Sequence, residues 1–169
     1  MADKKTVLIT GAAGYIGVYL REAFRNCYNL RLTDIVPIEG EDVTIANLGD
    51  IDTMMDVTEN VDAVIHLAAH PGDRDFHSKL LPDNIAGTYN VFEACRQNGV
   101  SRIVYASTNH VIDGYTKDRL VTSDMAIRPD SMYAVSKQFG ESLGCFYSDR
   151  HGMSIVCLRI GSPLPDDHE

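Results

Sequence analysis

Residues 6–17 read Thr-Val-Leu-Ile-Thr-Gly-Ala-Ala-Gly-Tyr-Ile-Gly, a short apolar run that breaks into three evenly spaced glycines. The run has the length and β-branched character of a buried strand. The glycines at 11, 14 and 17 then open a helix. Gly11 permits the tight turn, Gly14 lets backbone N–H groups approach an anion, and Gly17 lets the helix pack close against the strand. A helix start in this position offers unpaired N–H groups and the positive end of its dipole. Ala13, Tyr15 and Ile16, between these glycines, become candidate contacts to the same anion.

The second apolar run ends at Asp34, where a carboxylate accepts hydrogen bonds from ribose hydroxyls. It would repel a 2′-phosphate, and Ile35-Val36-Pro37-Ile38 supplies no Arg to receive one. The turn and the acid together predict NAD, not NADP, as the bound dinucleotide.

Working outward, short apolar runs alternate with longer helix-like stretches. Strands are expected at 6–10, 30–33, 43–45, 63–67, 102–106 and 154–159, and helices at 15–26, 51–57, 81–98 and 131–151. Strand–helix alternation with strands apolar on both faces specifies an α/β fold, a doubly wound parallel sheet of the Rossmann type. All 169 residues are expected to form one NAD-binding domain, ending shortly after its sixth strand. Only ten residues follow Arg159, so most of a C-terminal substrate-binding part is expected to be missing.

With 44% hydrophobic and 23% charged residues the composition is that of a globular domain, not a disordered or fibrous one. A formal net charge of −9 argues against nucleic acid and against anionic membrane surfaces as partners. No apolar run is long enough to span a bilayer, and the N-terminus lacks the layout of a signal peptide. The four cysteines at 27, 95, 145 and 157 have no metal-ligand spacing and are expected as buried or half-buried reduced thiols. A cytoplasmic location follows as the expectation.

Tyr133-Ala134-Val135-Ser136-Lys137 places a phenol and an ammonium four residues apart, on one helix face. A nearby ammonium stabilises tyrosinate, so Lys137 is expected to lower the Tyr133 pKa towards the range of a general base. Ser107-Thr108-Asn109-His110 follows the fifth strand at the carboxyl edge, where open α/β sheets bind ligands. A hydroxyl of this segment would position a substrate alcohol beside Tyr133.

In this order, TGAAGYIG, VDAVIHLAA, DNIAGTYNVFEAC, RIVYASTNH and YAVSK resemble the extended short-chain dehydrogenase/reductase superfamily. STNHVI, RPDSMYAVSKQFGE and LRIGS are most similar to its uronate dehydrogenases. The resemblance implies Thr108, Tyr133 and Lys137 as the catalytic set. Asn84 would support the active-site helix and a proton-relay water. It also implies Leu67, Ala68 and Ala69 beside the ribose and phosphates, Asn47 and Leu48 towards the adenine, and Ser162 near the nicotinamide. Asn109, His110 and the loop residues Gly72 and Asp73 would face a sugar acid.

The implied reaction is NAD-dependent oxidation of galacturonate or glucuronate at C1 to an aldaric acid lactone. A sugar-nucleotide epimerase or dehydratase, or a dinucleotide-binding module of little activity, are the alternatives. Two departures stand out: Asn47 replaces a customary Asp, and the Arg expected to hold the substrate carboxylate would fall beyond Glu169. Arg74, Arg128 and Arg159 are the substitutes considered for it. An apolar stripe of Val135, Phe139, Leu143 and Phe146 on the 131–151 helix suggests a homo-oligomer through that helix and the 81–98 helix.

Overall fold

A computed structural model describes residues 4–122 and 124–161. Six strands, β1 (Thr6–Thr10), β2 (Asn29–Asp34), β3 (Val43–Ile45), β4 (Ala63–His66), β5 (Arg102–Thr108) and β6 (Ser154–Ile160), form one sheet. Their order is β3-β2-β1-β4-β5-β6 and every pairing is parallel. The order reverses between β1 and β4, which opens a crevice at their carboxyl ends.

The helices are α1 (Tyr15–Phe24), α2 (Ile51–Thr58), α3 (Gly87–Gln97) and α4 (Met132–His151). Side chains alternate across the strands, so the core divides in two. Leu8, Val64, Ile103 and Tyr105 point to the face covered by α2, α3 and α4, where Met54, Val91, Phe92 and Tyr147 complete the main core. Ile9, Leu32 and Ile65 point to the α1 face, against Leu20. On that same face the outer residues of β6, Val156 and Leu158, are exposed.

Local chemistry fixes the helix ends. The Asp50 carboxylate accepts the Asp52 and Thr53 N–H groups at the start of α2, and the Ser131 hydroxyl accepts Ala134 N–H at the start of α4. Gly152, at φ +67°, closes α4 in a left-handed conformation that an L side chain rarely adopts.

Several boundaries differ from expectation. The helix foreseen over 81–98 is two elements: a wide, π-type segment, Phe76–Ala86, and then α3. Pro82 has no N–H to continue an α ladder, and five-residue bonds run from Leu80 N–H to Asp75 and from Gly87 N–H to Pro82. Strand β4 stops at His66, one residue short of expectation. β5 runs two residues further, so Ser107 and Thr108 end the strand and do not follow it. The four cysteines are free, but Cys27 and Cys145 are exposed, contrary to the burial expected of them. Ser162 lies outside the described residues. Among those residues no helix is long and apolar enough to cross a membrane.

Candidate active site

The glycine turn sits where the sheet order reverses, held from three sides. Gly11 has φ +72°, and a Cβ there would lie 2.7 Å from the Ala68 nitrogen just past β4. A Cβ on Gly17 would lie 2.5 Å from the Ala12 carbonyl oxygen and 2.6 Å from that of Gly11. Both obstacles are backbone, so neither can step aside. The turn is braced from β2 by Asp34, whose Oδ2 accepts Ala13 N–H at 2.9 Å while Oδ1 accepts Ile35 N–H at 2.7 Å. No side chain caps the start of α1 at Gly14, which leaves the first N–H groups of the helix available.

Two clefts meet along this turn. The larger, about 570 Å³, is walled by Gly11, Ala13, Gly14, Asp34, Asn47, Leu48, Leu67, Ala68 and Ala69. The smaller, about 370 Å³, brings Gly11, Gly14, Tyr15, Ile16 and Gly17 together with Thr108, Tyr133 and Lys137. Residues separated by 120 positions thus share one wall because β1 and β5 deliver their carboxyl ends to the same edge.

Lys137 is buried against the sheet with its Nζ 4.4 Å from the centre of the Tyr105 ring. Burial lowers its pKa to about 7. Burial also raises the Tyr133 phenol. This corrects the expected lowering: dehydration disfavours the charged form of each group, and the ammonium faces the Tyr105 ring.

Asn84, Gly72, Asp73, Asn109 and His110 do not form part of either cleft wall. Asn84 is fully buried; its Oδ1 accepts His70 N–H at 2.8 Å, and its Nδ2 donates to the His70 carbonyl and to Ser136 Oγ. It therefore ties the loop after β4 to α4. The Asp73 carboxylate accepts Tyr133 N–H at 2.9 Å, capping the helix that carries the phenol. His110 sits on a short turn with Asn109; its Nδ1 is 2.8 Å from Asp130 Oδ2, and that bond raises the His110 pKa. Gly72 lies on an open turn at φ +69°.

One strut was not foreseen. Ser107 pairs in register with Arg159, so both face α4. There Glu141 accepts Ser107 O–H at 2.6 Å and a two-pronged bond from Arg159 at 3.0 and 2.8 Å. Burial alone would raise Glu141, but the bonds from Arg159 and Ser107 outweigh it and hold the carboxyl below its ordinary range. Arg159 is thereby committed. Arg74 donates to Pro71 of its own loop, and Arg128 lies over the Tyr115 ring. His66 was missed as well, although a histidine inside an apolar strand signals a buried polar group. It is fully buried between Thr10 and Thr88, and its pKa falls to about 3, so it is neutral.

Sheet order, glycine turn and the Tyr–Lys helix define a dinucleotide-binding α/β protein with a Thr–Tyr–Lys cluster at the crevice. The NAD dependent epimerase/dehydratase family model matches residues 7–164, and the chain belongs to that family. It is 39% identical over 166 residues to uronate dehydrogenase of Pseudomonas syringae pv. tomato, covering 95% of this chain and 60% of the relative. It is also 39% identical, over 178 residues, to L-arabinose 1-dehydrogenase (NAD(P)(+)) of Haloferax volcanii, covering 95% of this chain and 68% of that protein. The crystal structure of uronate dehydrogenase from Agrobacterium tumefaciens superposes with a TM-score of 0.90 at 36% identity, over 97% of this chain and 64% of that one. The chain thus spans about 60% of the length of the Pseudomonas relative.

Proposed function

We propose that the chain binds NAD and oxidises a uronic acid, galacturonate or glucuronate, at C1. The observation that carries this reading is the single cleft in which Thr108, Tyr133 and Lys137 meet the glycine turn. The residues present fit the cofactor. Positions 11 and 17 leave no room for a Cβ, the N-terminus of α1 is uncapped, and Asp34 lies on the wall of the larger cleft. NAD, when bound, supplies the hydride acceptor.

Each residue then has one task. Tyr133 Oη takes the proton of the C1 hydroxyl. Thr108 Oγ1, at the end of β5, orients that hydroxyl. Lys137, in its protonated form, lies at the reacting end of the cleft and favours tyrosinate as the proton leaves. Asn84 and Asp73 fix the loop and the helix that present Tyr133. Burial raises the Tyr133 phenol and lowers Lys137 to about 7, so alkaline pH is expected to favour tyrosinate while removing the Lys137 charge that stabilises it, and turnover should pass through a maximum.

One observation favours a second reading, a neutral aldose in place of a uronate. Arg159, near the end of β6, is bound to Glu141, so it is not free to receive a substrate carboxylate. Calorimetric titration with NAD, followed by absorbance at 340 nm with galacturonate, glucuronate and L-arabinose, tests both. NADH formed with either uronate supports the first reading; NADH formed with arabinose alone supports the second. Failure to bind NAD would defeat both.

A further inference from the structure

We propose that Tyr105 is a positioning residue for Lys137: its ring is the floor on which the ammonium rests, and Gly140 is the residue that admits the ring beneath α4. The inference rests on the reading that Lys137 serves the reaction, but its geometry stands apart from any substrate. Tyr105 is fully buried, and Lys137 Nζ stands 4.4 Å from its ring centre. A cation at that distance over an aromatic face is attracted by the electron-rich π surface, most strongly where water is excluded.

Gly140 lies one turn beyond Lys137 on the inward face of α4. A Cβ there would fall 2.3 Å from Tyr105 Cζ and 2.4 Å from its hydroxyl oxygen. Any other residue at 140 would displace the ring or lift the helix. The ring is fixed from the opposite side by an edge contact with Phe92, centroids 5.9 Å apart, and by the tilted His66 ring at 5.7 Å.

Among the described residues, the other groups around the ammonium do not supply its counter-charge. His66, from β4, is neutral, and Cys157, from β6, is a thiol that burial pushes up to about 11. Tyr133, one turn earlier on α4, is raised by burial. Glu141, one turn later, is occupied by Arg159 and Ser107. Among the described residues, the π face of Tyr105 is therefore the group that offsets part of the cost of burying the Lys137 charge.

The test replaces Tyr105 with Phe and then with 4-fluoro-, 3,5-difluoro- and pentafluoro-Phe, which keep the ring's shape while draining its π density. The Lys137 titration is read by NMR at its ε-carbon in protein without added nucleotide, with the signal assigned by its loss in Lys137→Met. The Phe variant should hold the proton affinity of Lys137 within about twofold, because the face is retained. The fluorinated series should lower it stepwise, by about tenfold at five fluorines. Gly140→Ala, which evicts the ring, should lower it as well. A flat series across the fluorinated rings overturns the proposal, and so does a fall already complete in Tyr105→Phe, which would assign the effect to the hydroxyl. Since the readout needs no turnover, it holds or fails separately from the proposed oxidation.

Discussion

Removal of Glu141 should be costly, and the structure gives the size. Glu141→Ala strands the Arg159 guanidinium and leaves the Ser107 hydroxyl without its acceptor. Losing one partner of a buried pair costs about 3–5 kcal/mol. The Arg159 side chain keeps 24% exposure, so water relieves part of that; about 2–3 kcal/mol is the expected loss. In a domain of this size that corresponds to a fall of about 5–10 °C in Tm. Removing both charges is different. Glu141→Leu with Arg159→Met replaces the pair by apolar volume and leaves only the Ser107 hydroxyl unpaired, so the double variant should lie within about 1–2 kcal/mol of the parent. Urea unfolding followed by circular dichroism at pH 7.5, on Glu141→Leu, Arg159→Met and the double, measures each corner of the cycle, with Glu141→Ala read beside them. The pair's contribution is also pH-dependent. The native Glu141 pKa is depressed, so the stabilisation is complete above the ordinary value of 4.5 and is lost as pH falls through the native one. A Glu141→Ala variant within about 0.5 kcal/mol of the parent, or a double variant as weak as the summed singles, would refute the buried-strut account.

Gly17→Ala drives a methyl into two backbone carbonyls and should weaken NAD binding by about tenfold or more, measured calorimetrically. Tyr133→Phe should lower turnover by about 10²- to 10⁴-fold and leave the NAD dissociation constant within about twofold; an equal loss in both would make Tyr133 a structural residue. Asp130→Asn should bring His110 back down towards 6.5, read from its imidazole proton shifts, because the Asp130 bond is the main cause of the rise. The sign follows from the raised native pKa: that pair stabilises the fold at low pH, and its contribution fades as pH climbs through the native value.

The sheet could be read from the sequence because its signals are local. Val43–Ile45 and Thr6–Thr10 are apolar, bounded runs, and the glycines at 11 and 17 answer to backbone collisions that no other residue survives. The 81–98 helix was drawn whole because its apolar rhythm continues past Pro82; the slip to wider turns follows from one missing N–H, which periodicity does not register. The candidate site's outline was legible for the same reason as the sheet: Thr108 ends β5, and Tyr133 and Lys137 lie in the first two turns of α4. What held them was not. Asp73 caps Tyr133 across 60 positions and Glu141 bonds Ser107 across 34, and no spacing rule links such pairs. The mutual pKa effect of Tyr133 and Lys137 was misjudged because helix spacing fixes a shared face but not what else that face touches.

Asp34 carries a consequence for redesign of the cofactor preference. The carboxylate expected to meet the ribose is also the acceptor that braces Ala13 in the glycine turn. Selectivity and scaffold share one side chain, so recruiting a phosphorylated dinucleotide by truncating position 34 would slacken the very loop that must hold it. A successful exchange has to keep an oxygen where Oδ2 now lies, which makes Asn, paired with a cation introduced at Ile35 or Val36, the conservative route.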